Sequence, residues 1–113
     1  MIKLLKQEKN KKIYIKIVNI VGDSMSPTFV NGDKILISYI PYLVKVIKEG
    51  DIVVAKSPKD NINIIKRITK IKNNLYYIEG DNKKFSKDSN NFGYIKKDNI
   101  LSKYILRVKI IKP

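Results

Sequence analysis

Neither histidine nor cysteine occurs in the 113 residues, which removes Ser-His-Asp and Cys-His catalysis, the usual zinc sites and any disulfide together. A hydrolase built from this chain must take its base from a carboxylate or a lysine. A free ammonium has a pKa of about 10.4 and is a poor base at neutral pH, so a lysine base has to lose solvation. Lys66 lies in Asn61-Ile62-Asn63-Ile64-Ile65-Lys66-Arg67-Ile68, where strand alternation puts Ile64, Lys66 and Ile68 on one face and Ile65 and Arg67 on the other. A lysine that shares a face with two isoleucines can be buried, although a surface lysine on an edge strand carries the same pattern. Most of the other lysines fall in polar turns or on faces that can point to water.

A serine nucleophile needs its hydroxyl exposed at a sharp change of chain direction, with backbone amides facing the developing oxyanion. The segment Gly22-Asp23-Ser24-Met25-Ser26-Pro27 suits that role. Gly22 permits close backbone approach, Pro27 rigidifies the exit, and Met25 can hold the loop in apolar surroundings. The same residues would also make an ordinary turn.

The elements that must position these groups read as strands. Ile13, Ile15 and Ile17 alternate with Tyr14, Lys16 and Val18, the period of a strand with one face inward. Asn31-Gly32-Asp33 is a turn before a strand at 34–39, which Pro41 ends. Glu49-Gly50-Asp51 opens a strand at 52–56. A hairpin joins 62–71 to 75–79 through Lys72-Asn73-Asn74, and Gly80-Asp81-Asn82 stops its second arm. A polar loop then runs to Asn91, with a short strand at 92–95 and a last strand at 104–111. Short strands between Gly, Asp and Asn turns predict a mostly β fold, a small closed or partly closed barrel or two packed sheets. Residues 1–12 form a lysine-rich lead-in and 13–113 a single β domain.

Composition supports one folded domain: 43% of residues are apolar and mean hydropathy is -0.24. Isoleucine, valine and tyrosine supply much of that content, which favours strands. The net charge of +14 raises the possibility of a nucleic-acid binder. Its carriers are scattered lysines, however, with Arg67 and Arg107 the only arginines, whereas base readout and stacking prefer arginine. Such charge also draws a protein toward anionic lipid headgroups. The longest apolar stretch, 13–21, is interrupted by Lys16 and Asn19 and falls short of the roughly 18 to 20 residues that span a bilayer. The start does not lead into a cleavable signal sequence.

Taken together, these segments resemble the type I signal peptidases, in a short form without the transmembrane anchor. Gly22-Asp23-Ser24-Met25-Ser26-Pro27-Thr28 is similar to that family's serine box, and Gly32-Asp33 and Gly50-Asp51-Ile52-Val53-Val54 to the turns and strand that follow. Lys66-Arg67-Ile68 is similar to its lysine box, and Gly80-Asp81-Asn82, Ser86, Asp88-Ser89 and Phe92-Gly93 to its final box, in the family's order. The resemblance implies a Ser-Lys dyad protease of the signal-peptidase and LexA-like catalytic fold. Ser24 is its implied nucleophile, Lys66 the base that later protonates the leaving amine, and the Ser24 amide an oxyanion donor. Gly22, Asp23, Met25 and Pro27 belong to the nucleophile loop. Ser86 is the implied partner that orients the lysine, and Asp88, Asp81 and Asn82 support the site from behind.

Three departures matter. Gly22 stands where many members carry a serine whose hydroxyl assists the oxyanion. Asn90 stands where the family usually has the arginine that pairs with the acidic residue, so the support of Asp88 must be reorganised. Ser102 lies where a glycine often follows the last box. No metal or cofactor is implied. The implied substrate is an extended signal or leader peptide cut after small residues, bound beside a strand, with residues around 15–21 and 62–65 as pocket walls. Peripheral contact with an anionic membrane and a membrane-anchored subunit are further expected partners; nucleic acid is not expected. Location is expected to be membrane-associated, peripherally or through a partner, with a soluble cytoplasmic form as the alternative. The competing readings are a LexA-like self-cleaving protease domain and a non-catalytic basic β-barrel binding module that uses its tyrosines as stacking platforms.

Overall fold

The computed structural model describes residues 14–84 and 87–109. The lysine-rich lead-in, Ile13, Ser86 and the end expected for the last strand lie outside these residues. One antiparallel sheet of seven strands dominates, in the order β1-β2-β7-β3-β4-β5-β6. Its members are β1 (Ile15–Asn19), β2 (Lys34–Ser38), β3 (Ile52–Lys56), β4 (Asn63–Lys72), β5 (Leu75–Glu79), β6 (Ile95–Lys96) and β7 (Ile100–Val108). The sheet curls into a half-barrel compatible with a signal-peptidase-like β fold. Register shifts at Leu36/Ile37 and Val54/Ala55 against β7, and at Ile68/Lys70 against β5, supply local bends of the kind that curl a sheet. The β4–β5 hairpin turns at Asn73 and Asn74, both with positive φ, the conformation that two-residue hairpin loops select and asparagine tolerates.

Two apolar clusters hold the sheet. Ile47, Val53, Ala55, Ile68, Tyr76, Ile78, Ile95 and Ile100 form the first. The second gathers Ile20, Met25, Phe29, Ile35, Ile37 and Ile52. Met25 and Phe29 are 1% and 2% exposed, so the serine-bearing loop is fastened through its own side chains to the core beneath it. The edge of Phe29 meets Tyr104 at 5.0 Å between ring centroids, and the Arg107 guanidinium lies over its ring.

Several expectations need correcting. In β1, where the sequence left the inward face open, Ile15 and Ile17 point outward, 51% and 54% exposed. Lys16 and Val18 on the opposite face line a groove, and Val18 packs on the second cluster. Both faces of this segment carry apolar residues, so alternation alone does not choose between them. The strand before Pro41 ends at Ser38 as expected; what was not anticipated is that Pro41 opens a short helix, α1 (Pro41–Lys45), where its missing N–H costs nothing. The expected loop to Asn91 and strand at 92–95 contain α2 (Ser89–Phe92), capped by Asp88, whose side chain accepts from the Asn90 amide while the Asn91 side chain accepts from the Asp88 amide. The strand there is reduced to Ile95–Lys96, and β7 begins at Ile100 rather than at 104.

Candidate functional site

β4 brings Lys66 into the first apolar layer. Its cross-strand partner is Val53, and the neighbouring pairs are Ile65 with Val54 and Ile64 with Ala55. Partners directly opposite share a face, so Lys66 stands beside a fully buried valine and is itself only 4% exposed. Lys66 and Asp88 are the charged residues buried among those described. Burial pushes the Lys66 amine below its ordinary pKa, against a smaller opposing pull from the Asp88 carboxylate.

Ser24 approaches from the loop after β1. Its Oγ lies 2.8 Å from Lys66 Nζ, across 42 residues of sequence. In the ammonium form the amine donates to the hydroxyl; in the neutral form its lone pair can accept the hydroxyl proton. A depressed pKa enlarges the second population at a given pH. The Ser24 carbonyl accepts from the Asn82 amide at 2.9 Å, and the Asp23 carbonyl accepts from Asn82 Nδ2 at 3.0 Å. Gly22, with φ of +88°, turns the chain into this loop and donates its amide to Asn31 Oδ1. A Cβ at Gly22 would meet nothing within 4 Å, so what disfavours serine there is backbone conformation rather than space.

Asp81 and Arg67 brace the other side. Arg67 donates Nε and Nη2 to the two Asp81 oxygens at 2.9 and 2.8 Å, and Nη1 to the Gly50 carbonyl. Thr28, at the end of the serine loop, donates its hydroxyl to Asp81. The Arg67 hydrogen bonds hold Asp81 below the usual carboxylate range, with help from Thr28.

Asp88 does not rely on a guanidinium. One of its oxygens accepts from the Gly80 amide and the other from the Asn90 amide, each at 2.9 Å. Asn90, in the position expected for arginine, turns its side chain away, accepting from the Tyr77 hydroxyl and donating to Glu79. Thr69 also donates to Glu79, and these contacts, Thr69 first, keep that carboxyl below its usual range. Pro27 is an exposed part of the loop, and Ser86 falls outside the described residues. Ser102 is fully buried, and among the described residues its hydroxyl finds no hydrogen-bond partner.

A groove of about 430 Å³ opens at the Ser24–Lys66 pair. One wall is β1 and its continuation, from Lys16 to Val21, and the other is Ile62 to Lys66, with Ile37, Tyr39 and Val54 between them. β1 is an edge strand, and β5 pairs β4 only from Arg67 onward. Both walls therefore present strand edges to which an extended chain can add. Of the stretches suggested from sequence as pocket walls, Lys16, Val18 to Val21 and Ile62 to Ile65 line this groove, whereas Ile15 and Ile17 do not. Ile37, Tyr39 and Val54 were missed because they reach the groove through the curl of the sheet. Thr28, Glu79, Tyr77 and Asn90 were missed as supports; for Thr28 the one sequence signal was its place at the end of the serine box. Among the described residues no group of three or more acidic or histidine side chains is placed to hold a metal, and no helix is long and apolar enough to cross a membrane.

The fold is a curled antiparallel half-barrel, and its groove is lined in part by a serine hydroxyl and a buried lysine amine. The family model for signal peptidase, peptidase S26, matches residues 11–71, more than half of the chain, and the protein belongs to that family of signal-peptidase-type proteases. The match takes in the serine loop and Lys66 and ends before Gly80. A search of curated proteins returned no match.

Proposed function

We propose that the protein is a serine endopeptidase in which Ser24 is the nucleophile and Lys66 the general base. The observation that carries this reading is the 2.8 Å approach of Lys66 Nζ to Ser24 Oγ by an amine whose burial favours its neutral form. Neutral Lys66 takes the hydroxyl proton as Ser24 Oγ attacks the scissile carbonyl. The oxyanion meets the Ser24 N–H; Gly22 offers no hydroxyl. Lys66 then gives its proton to the leaving amine, and the acyl group stays on Ser24 as an ester. Water attacks that ester as Lys66 takes its proton; the tetrahedral intermediate then breaks the bond to Ser24 Oγ, which receives that proton from Lys66, and the freed acid leaves with hydroxyl and neutral amine both restored. Asp88 tunes the amine from behind, and Asp81 and Asn82 hold the nucleophile loop. Ser86 is the proposed orienting partner of the lysine.

The substrate is an extended signal or leader peptide that adds along the groove and is cut after a small residue. The protein acts at a membrane surface, peripherally or through an anchored subunit. Supporting this, Ile17, Leu36 and Leu106 fall in one register row across β1, β2 and β7, with Ile17 and Leu106 exposed, on a chain of net charge +14. Mass spectrometry of leader-peptide libraries incubated with wild type, S24A and K66A, with and without anionic vesicles, tests the reading. Expected is cleavage after small residues that both substitutions abolish. Cleavage that persists in S24A refutes the assignment.

A further inference from the structure

We infer that Asn82 is the positioning residue of the oxyanion site, holding the amide of Ser24 toward the substrate; this rests on Ser24 being the nucleophile. The Asp23 carbonyl and the Ser24 N–H belong to one planar trans peptide, so they point in opposite directions, and whatever fixes the carbonyl fixes the amide. Two donors fix that carbonyl: Asn82 Nδ2 at 3.0 Å and the Ser26 amide at 3.1 Å. The next peptide is fixed from the same residue, since the Asn82 amide donates to the Ser24 carbonyl at 2.9 Å. Asn82 therefore clamps the peptide planes on both sides of the Ser24 Cα. Its own amide cannot turn over freely, because Oδ1 accepts from the Lys84 amide at 3.1 Å, which leaves Nδ2 facing Asp23.

Direction and strength both follow. Ser24 lines the groove, and Asn82 is not among its lining residues, so a carbonyl drawn toward Asn82 sends its N–H to the groove side. Two donors on one carbonyl also polarise the peptide and make its N–H a better donor to an oxyanion. The load on that amide is large here, because Gly22 carries no hydroxyl to share it. Asn82 is itself referenced to the base: Arg67, the residue after Lys66, grips the neighbouring Asp81 with two hydrogen bonds. One strand thus sets both the proton acceptor and, through Asp81–Asn82, the oxyanion donor.

The test is N82A in the full chain, with leader-peptide cleavage as the assay and a peptide boronate as tetrahedral analogue. Expected is a fall in kcat of roughly tenfold to a hundredfold, with KM within about twofold and the midpoint of the alkaline activity limb unmoved. Boronate affinity should fall in step with kcat, whereas binding of uncleaved peptide to S24A and to S24A/N82A should be the same. If N82A does not fold, N82L carries the same expectation, since an uncharged side chain of similar size facing the Asp23 carbonyl donates nothing and leaves the charge around Lys66 unchanged. Unchanged kcat, a loss confined to KM, or a displaced alkaline limb overturns the inference. Activity that survives in S24A or K66A instead overturns the dyad itself, so the two failures are distinguishable.

Discussion

Replacing Lys66 by methionine should stabilise the fold at neutral pH while abolishing cleavage, and the size of the gain should depend on pH in a defined way. Lys66 is almost wholly buried against Val53 and the isoleucines of its own face, and burial lowers its pKa more than Asp88 raises it. The unfolded chain then holds its lysine proton over a range in which the native chain has released it. Between the native pKa and about 10.5 the unfolded state binds the extra proton, so wild-type stability rises with pH, by at most about 1.4 kcal/mol per unit for one proton. Below the native pKa both states are charged and the full penalty is present; above the unfolded value it is gone. Methionine removes the penalty at every pH, fills nearly the same volume, and loses one hydrogen bond to Ser24, a cost of about 1 kcal/mol. Urea unfolding of wild type and K66M across pH 6 to 11 (~0.5-unit steps) measures the difference, in which the other titrating groups cancel to first order. The advantage of K66M should be constant at the acid end, shrink through the window, and turn into a small deficit of about the hydrogen bond's worth near the top. A difference that is flat with pH, or that grows as pH rises, would refute the assignment of Lys66 as a buried amine with a depressed pKa.

D88N removes the charge that raises the Lys66 pKa, so the limb of kcat/KM that rises with pH should move to lower pH; its midpoint in a pH–rate profile is the check. R67M strips Asp81 of its bidentate partner and Gly50 of a donor, and should cost about 1–3 kcal/mol in urea unfolding. Part of that cost should fade as pH falls through the depressed Asp81 pKa, because a protonated carboxyl no longer gains from the guanidinium. S102A deletes a buried hydroxyl that has no partner among the described residues, and should raise stability by about 1 kcal/mol with kcat unchanged.

What could be read from sequence was local. Alternation and the Gly-Asp turns marked β2, β3 and the β4–β5 hairpin, and the same alternation put Lys66 on the face of Ile64 and Ile68. Alternation has no sign, and that is why the inward face of β1 could not be chosen from sequence: Ile15 and Ile17 look like a core face until Ile17 is seen to share a row with Leu36 and Leu106 that no described element covers. The α2 turn rests on a capping box from Asp88 to Asn91 inside a polar run, where the expected loop and the helix draw on the same residue types. Asn90 foretold that Asp88 would need other support, but not that backbone amides would supply it. Contacts such as Thr28 with Asp81, 53 residues apart, leave no periodic trace in a single sequence.

A buried lysine beside a serine loop is costly twice over, in desolvation of the amine and in ordering a turn. The second cost is offset locally, since Met25 and Phe29 sink the loop into the same cluster that holds Ile35 and Ile37. The first is offset by β4, which pairs with β3 over Asn63–Arg67 and so holds Lys66 against a wall that cannot open without breaking the ladder. β5 joins β4 at Arg67, one residue beyond the lysine. That changeover leaves the strand edge free for a peptide up to Lys66 and braced beyond it, where Arg67 begins the chain of contacts to Asp81, Asn82 and the Ser24 carbonyl. Substitutions that lengthen the β4–β5 pairing toward Asn63 should therefore close the groove before they disturb the Ser24–Lys66 distance, because they act on the edge proposed for the substrate and not on the face that holds the amine.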